Sequence, residues 1–333
     1  MNIAVIGAGA WGTALAMHLQ REGHRVTLAP RRIEQALEIA SSRINQAYLP
    51  GFELPYDLQV GCEVRPVVME ARMIVLACPS AGLRAACERV RPHLVDAWAE
   101  PLVLALCKGL DPAASKLPSE VMTEALPDIQ CGILSGPSHA ADVAQGLPTA
   151  LVLASGAEAS KAIEMQEALS GEALRVYRSD DVRGVEIGGS LKNVYAIAAG
   201  VSDGLRLGDN ARAALLTRAM AEMTRLGTAW GGRPETFYGL SGFGDLVATS
   251  HGAWSRNRSF GVALGQGQSA VDWVEACAGV VEGHRSSGLF YEKARQDQLE
   301  APILREVCAV VDGQADPKEA MARLMQRDLK AEA

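Results

Sequence analysis

Basic charge is scarce in this chain: 32 lysines and arginines face 39 aspartates and glutamates, a formal charge of −7, and no block of like charge stands out. The electrostatic footprint of a polyanion-binding protein is missing, which argues against nucleic acid as a partner. Cysteine is sparse and unpatterned. The seven (Cys62, Cys78, Cys87, Cys107, Cys131, Cys277 and Cys308) are odd in number, include no C-x-x-C pair and lie mostly in apolar runs. Neither a disulfide framework nor a zinc site is indicated, and a reducing, cytoplasmic setting is expected. The six histidines (18, 24, 93, 139, 251 and 284) lack any H-x-x-x-H spacing, so no metal is expected. No run of roughly 18 residues is free of charge and helix breakers, as a spanning helix would need, so no stable membrane insertion is expected. Residues 3–17 are apolar but lack a basic leader, hold three glycines and run on into His18 and Arg21, unlike a signal sequence. No internal repeat or low-complexity segment is found.

What is present is ordinary globular composition, 48% hydrophobic and 21% charged, far from the signature of disorder. At about 150 residues per domain, 333 residues make two domains, each with a substantial core. The first part alternates apolar runs with helical patterns. Strands are expected at 2–6, 25–29, 73–77, 102–106, 132–134, 150–153 and 174–177, and helices at 11–21, 33–41, 81–91, 138–145 and 157–169. Several strands are continuous Val, Ile, Leu and Ala runs, as a sheet buried on both faces requires. The pattern predicts an α/β, Rossmann-like, doubly wound parallel sheet. After about Asp181 helical periodicity takes over, at 185–201, 211–226, 256–264, 284–294, 303–311 and 317–329. We therefore expect a dinucleotide-binding domain over 1–180 and an all-helical substrate-binding domain over 181–333.

The strongest local motif is Gly7-Ala8-Gly9-Ala10-Trp11-Gly12, directly after the first strand and opening the first helix. Gly7 permits a tight turn, Gly9 lets backbone approach a pyrophosphate and Gly12 lets helix and strand pack closely, beside the amide donors of a helix N-terminus. Where an acidic residue often ends the second strand to hold ribose hydroxyls, this chain has Pro30-Arg31-Arg32. Two guanidinium groups suit a 2′-phosphate, so NADP(H) is favoured, with NAD(H) as the alternative; a solvated helix start explains the pair too.

Residues 187–202 read IGGSLKNVYAIAAGVS, with Lys192 the one charged residue. A helix apolar on nearly all sides is a buried one. Gly188 and Gly189 before the lysine, and Tyr195 and Ala196 after it, line its face with some residues small enough to admit another molecule. Burial lowers an amine's pKa by up to about 3–5 units, which suits an acid or base. The alternative is an amine that snorkels to the surface or ends in a salt bridge.

Lys108-Gly109 follows a strand at the carboxyl end, where open α/β sheets bind ligands; a solvated loop lysine is the plain alternative. Ser135-Gly136-Pro137-Ser138 also follows a strand, and Ser138 either caps the next helix or faces a ligand. Gly242-Phe243-Gly244-Asp245 reads as a turn into a short helix, with Asp245 a cap, a partner for a substrate hydroxyl or a guide for Lys192. Ser255-Arg256-Asn257-Arg258 offers hydroxyl, guanidinium, amide and backbone donors that fit a phosphate better than a carboxylate, simple capping plus surface charge being the alternative.

Together the stretches GAGAWGTALA, CKGL around Lys108, SGPSHA from Ser135, GGSLKNVYAIAAGVSDGLRLGDNARAAL across Lys192, GLSGFGDL leading to Asp245, SRNR from Ser255 and VVEG at 280–283 resemble the bacterial NAD(P)-dependent glycerol-3-phosphate dehydrogenase family over nearly the whole chain. The resemblance implies reversible hydride transfer between a nicotinamide and carbon 2 of dihydroxyacetone phosphate, giving sn-glycerol 3-phosphate for glycerophospholipid synthesis. It implies Lys192 as general acid/base. Lys108, Gly136, Ser138, Lys192, Asp245, Ser255, Arg256 and Asn257 fall at substrate positions. Trp11, Arg31, Arg32, Lys108, Ala140, Arg256, Val280 and Glu282 fall at cofactor positions, with Gly7, Gly9 and Gly12 of the turn. His139, Trp254 and His284 depart from the family pattern and bear on local packing, not on the reaction.

Two other readings compete. A related reductase of an unphosphorylated hydroxy or keto acid would leave Arg256 and Asn257 without their anion. A non-catalytic nicotinamide sensor that binds a protein through its helical domain would not need an isolated lysine in an apolar helix. The apolar helices of the second domain fit either a homodimer or packing within one subunit.

Overall fold

The computed structural model describes residues 1–98, 100–277, 279–328 and 331. They fall into two compact units, one up to Glu186 and one from Ile187 onward.

The first unit carries ten strands: β1 (Asn2–Ile6), β2 (Arg25–Ala29), β3 (Ile44–Asn45), β4 (Leu49–Glu53), β5 (Gln59–Val60), β6 (Met73–Leu76), β7 (Leu102–Ala105), β8 (Cys131–Ser135), β9 (Thr149–Ser155) and β10 (Leu174–Ser179). Eight of them form one sheet in the order β10-β9-β8-β7-β6-β1-β2-β5, while β3 and β4 form a separate hairpin. Helices α1 (Ala10–Arg21), α2 (Ile33–Ser42), α3 (Val64–Glu70), α4 (Leu83–Leu94), α5 (Pro118–Ala125), α6 (Ala140–Gln145) and α7 (Ala159–Leu169) connect them.

The central strands are uniformly apolar because both faces are covered. Side chains alternate between faces, and so do the two cores: Ile3, Val5, Met73, Val75, Leu102 and Leu104 enter one cluster, whereas Ala4, Ile6, Ile74, Leu76, Val103 and Ala105 enter the other. The sheet is Rossmann-like and mostly parallel, with one exception. β9 runs antiparallel to β8, and β10 follows β9 in parallel. The connection between β8 and β9 carries only a short helix: the six residues of α6 rise about 9 Å, against the about 17 Å spanned by a five-residue strand such as β8.

In the second unit, α8 (Val182–Gly204), which begins in the first, is followed by α9 (Asp209–Ala229), α10 (Pro234–Phe237), α11 (Asp245–His251), α12 (Arg256–Gly265), α13 (Ala270–Ala276), α14 (Glu282–Gln296), α15 (Pro302–Val311) and α16 (Pro317–Met325). Its described residues hold no strand. The helix expected to reach 329 ends at Met325, and residue 329 itself lies outside the described residues. No helix among the described residues is long and apolar enough to cross a membrane.

Glycines bring α8 and α12 into backbone contact. A β-carbon on Gly200 would lie 2.1 Å from the Arg258 carbonyl oxygen, and one on Gly261 would lie 2.1 Å from that of Ile197. Gly204 and Gly265 repeat the contact one turn along, their α-carbons close enough that a β-carbon on either would lie 3.0 Å from the other. A buried carboxylate ties in two more helices. Glu222 on α9 accepts the backbone N–H groups of Ile303 and Leu304, both at 2.9 Å, at the start of α15, and the hydroxyl of Tyr195 on α8 at 3.3 Å. Such bonds supply acceptors for amides that a helix start leaves unsatisfied.

Candidate active site

The glycine turn has the geometry its sequence predicts. Gly7 adopts φ +114°, a conformation open to glycine and costly for other residues. A β-carbon there would lie 2.3 Å from the Ala77 carbonyl oxygen, and one on Gly12 would lie 2.4 Å from that of Gly7. At Gly9 the same addition meets nothing within 4 Å. Gly9 is also the N-cap of α1 and makes no side-chain capping bond. The turn thus presents a cleared cradle beside the N-terminus of a twelve-residue helix, which fits a pyrophosphate. Trp11 is half-buried in the first turn of α1, and Arg31 and Arg32 are exposed immediately after β2, Arg32 serving as the N-cap of α2.

Two further strand ends of this unit are joined by a lysine. Lys108 follows β7, and its Nζ donates to the Gly136 carbonyl at 2.8 Å and to Ser138 Oγ at 3.2 Å, both beyond β8. Gly136 takes φ +122°. Ser138 does not cap the next helix: that position belongs to His139, and α6 starts at Ala140. The serine hydroxyl instead serves Lys108.

In the helical unit, residues 184–202 of α8 are buried without a break, and Lys192 among them. The lysine does not snorkel to the surface; it ends in a buried salt bridge, the other half of the alternative its sequence leaves open. Its Nζ lies 2.9 Å from Asp245 Oδ1 and donates to Thr249 Oγ1 at 2.6 Å, while the threonine hydroxyl donates to Asp245 Oδ1 at 3.1 Å. Asp245 is the first residue of α11, with Gly244 in the capping position, and is reached through a widened turn over Leu240–Gly244. That turn fills the space beside Gly188, where a β-carbon would lie 3.3 Å from the Gly242 α-carbon. Gly188 therefore makes room for protein backbone, not for a second molecule as its small size suggests.

Ser255 caps α12, its Oγ accepting the Arg258 N–H at 3.2 Å. Arg256 is exposed, and its guanidinium packs so closely on Gly279 that a β-carbon there would lie 2.2 Å away. Arg258 turns elsewhere, to Asp203 at 2.7 Å. Asn257 links three helices: its amide donates to Asn193 Oδ1 at 2.9 Å, and its Oδ1 accepts the Gly283 N–H at 3.0 Å. The start of α14, with Val280 just before it and Glu282 as its first residue, is thereby fixed beside the start of α12. Within this unit the structure brings Lys192 together with Asp245, and Arg256 and Asn257 together with the 279–283 segment.

Sequence reasoning missed Thr249 and Asn193. Thr249 stands four residues after Asp245, the spacing at which helical side chains meet, and Asn193 adjoins Lys192; those offsets are the signals that point to them. Among the described residues no cluster of three or more His, Cys, Asp or Glu could hold a metal ion.

Residues 2–161 match the family described as NAD-dependent glycerol-3-phosphate dehydrogenase N-terminus, and residues 181–322 match that of its C-terminus. The chain belongs to the NAD-dependent glycerol-3-phosphate dehydrogenase family. It is 46% identical over 98% of both chains to the glycerol-3-phosphate dehydrogenase [NAD(P)+] of Acidovorax sp. (strain JS42), and 45% identical over 100% of both to that of Thiobacillus denitrificans. The solved glycerol-3-phosphate dehydrogenase of Coxiella burnetii shares 38% identity with a TM-score of 0.91, covering 98% of each chain. A ketopantoate reductase from Ralstonia eutropha, 16% identical with a TM-score of 0.60, shares the fold alone. As a member of the glycerol-3-phosphate dehydrogenase family the protein is an oxidoreductase, and the relatives' names carry NAD(P)+.

Proposed function

We propose that this protein interconverts dihydroxyacetone phosphate and sn-glycerol 3-phosphate with NAD(P)(H), and that Lys192 is its general acid/base. The observation that carries the reading is the buried Lys192–Asp245–Thr249 group in a chain whose two halves both match this family. Reducing a ketone builds negative charge on its oxygen. An ammonium aimed at that oxygen stabilises the charge and delivers the proton, and in the reverse direction the amine takes it back. Asp245 and Thr249 hold the Lys192 nitrogen in one place, which is what a proton donor requires. Bound nicotinamide supplies the hydride that carbon 2 receives.

The donors at the start of α12, Ser255, Arg256 and Asn257, are assigned to the phosphate. Lys108, Gly136 and Ser138 are assigned to the substrate as well, and Lys108 and Arg256 also to the cofactor. Gly7, Gly9, Trp11, Gly12, Arg31, Arg32, Ala140, Val280 and Glu282 complete the cofactor assignment. On this reading residues 1–180 serve mainly the dinucleotide and 181–333 mainly the substrate, and the two exposed arginines favour NADP(H) over NAD(H). The product feeds glycerophospholipid synthesis in the cytoplasm. Burial pushes the thiols of Cys87 and Cys131 up to about 11 and about 12, so they stay protonated and unreactive. A homodimer through the helical unit accompanies the proposal.

The test is to follow oxidation of NADPH and of NADH with dihydroxyacetone phosphate, using unphosphorylated dihydroxyacetone as control. Turnover that depends on the phosphate is expected. Equal use of both ketones, or none of either, overturns the assignment.

A further inference from the structure

We propose that Asn45 and Gln35, which lie outside the glycine motif, position it for the cofactor by fixing the direction of the Gly9 N–H. The proposal rests on the cofactor reading above. The carbonyl oxygen of Ala8, inside the turn, accepts two hydrogen bonds from elsewhere: one from Asn45 Nδ2 on β3 at 3.0 Å and one from Gln35 Nε2 on α2 at 2.9 Å. The second amide proton of Asn45 goes to Thr13 Oγ1 on α1 at 2.8 Å. Asn45 is 1% exposed, and a buried amide with both protons committed has one orientation.

The consequence follows from peptide geometry. The bond between Ala8 and Gly9 is planar and trans, so the Gly9 N–H points opposite the Ala8 carbonyl. Two donors that draw the carbonyl toward β3 and α2 turn the Gly9 N–H away from them, at the residue where the turn is open. Glycines at 7 and 9 otherwise leave this peptide more freedom than any other residues would. A donor already aimed costs less to engage than one that must be ordered on binding.

The clamp is itself anchored. A lone two-stranded hairpin is marginal in water, but Arg43, just before β3, donates to the carbonyls of Pro55, Tyr56 and Leu58, and its own carbonyl accepts the Leu54 N–H at 2.7 Å. The hairpin is thereby held as a rigid base for Asn45.

Two variants test the role. Asn45→Asp keeps the side-chain shape but sets a carboxylate oxygen against the Ala8 carbonyl. Gln35→Ala removes the half-buried second donor and leaves the hairpin alone. The measurements are the Kd for NADPH from its fluorescence, the melting temperature without cofactor, and KM against kcat. We expect Kd and KM for NADPH to rise about tenfold in Asn45→Asp and about threefold in Gln35→Ala, with kcat at saturating NADPH within about twofold, the range a lost hydrogen bond allows. The KM for dihydroxyacetone phosphate and the melting temperature of Gln35→Ala should not move. Unchanged NADPH affinity in both variants overturns the clamp, and so does a fall in kcat with KM constant, which marks lost folded protein. If Asn45→Asp does not fold, Gln35→Ala decides. A wild-type protein that binds neither NADPH nor NADH overturns the cofactor reading as well, so the two failures are told apart.

Discussion

The ammonium of Lys192 lies 2.9 Å from Asp245 Oδ1, with the two side chains 7% and 1% exposed. Removing one partner of a buried pair leaves the other uncompensated, at a cost of about 3–5 kcal/mol, so stability and chemistry must be read separately in any variant here. Lys192→Gln keeps a polar group near Asp245. It should retain NADPH affinity and lose roughly 100- to 10,000-fold in kcat, the range for a lost acid/base group. Binding titration and steady-state rates check both halves, and near-normal turnover would sink the role of Lys192.

Arg256 differs from its neighbours in being exposed, whereas Ser255 and Asn257 are engaged in the protein's own hydrogen bonds. Arg256→Ala should therefore leave folding intact. Taking away one charge-assisted hydrogen bond corresponds to a rise in KM of about 10- to 100-fold for the phosphorylated ketone. Because Arg256 is also assigned to the cofactor, the comparison is made at saturating NADPH, where the rate with unphosphorylated dihydroxyacetone should change little. An equal loss on both would count against a bond from Arg256 to the phosphate.

Arg31 and Arg32 stand exposed at the carboxyl end of β2, where ribose recognition takes place in this fold. Replacing both with alanine should weaken NADPH about tenfold more than NADH, since a single 2′-phosphate distinguishes the two. The comparison of kcat/KM for each cofactor is the measurement. An unchanged ratio would remove these arginines from cofactor choice.

The glycine turn was legible because its reasons are local: strand, φ-permissive residues and helix follow one another within twelve positions. Lys192 was legible as a lone charge on an apolar helix. Of its partners, Asp245 was legible as a guide for it, one of three readings, but Thr249 was not, because its place on the helix after the widened turn at Leu240–Gly244 is marked only by its offset of four from Asp245. The same limit hid the clamp on Ala8, since Asn45 sits on a strand of two residues. The antiparallel step at β9 was missed because the apolar runs of β8 and β9 carry no direction. The role of the helix glycines 200, 204, 261 and 265 is visible only when the two helices cross.

Glu186, 3% exposed on α8, accepts both the N–H and the hydroxyl of Ser119 at 2.6 Å, at the start of α5. Burial raises its pKa from the ordinary 4.5 to about 7, against the opposing pull of those two bonds. The folded state thus holds this proton more tightly than the unfolded chain, so the contribution to stability is full below about 4.5 and is lost as pH rises through about 7. Glu186→Gln removes that loss. Relative to wild type it should be more stable at pH 8 than at pH 5, by on the order of 3 kcal/mol at most. Urea midpoints across this interval report the difference, and parallel pH profiles for the two proteins would contradict it.

The crossing of α8 and α12 sets where the start of α12, assigned above to the phosphate, stands relative to Lys192, and four glycines make that crossing. Gly261→Ala would put a methyl group 2.1 Å from the Ile197 carbonyl oxygen, backbone that cannot yield as a flexible side chain can. Helix propensity runs the other way, favouring alanine by about 1 kcal/mol. Overpacking in a tight core costs about 1–3 kcal/mol and sometimes more, so the clash should win and the melting temperature should fall. Because relief of the clash moves α12, the KM for dihydroxyacetone phosphate should rise as well. Gly267→Ala, past the end of α12 and open on all sides though at φ +87°, is the control: it carries backbone strain without the clash, so it should lower stability but not touch the KM. A Gly261→Ala protein as stable as wild type, with the same KM, would show that this crossing does not need its glycines.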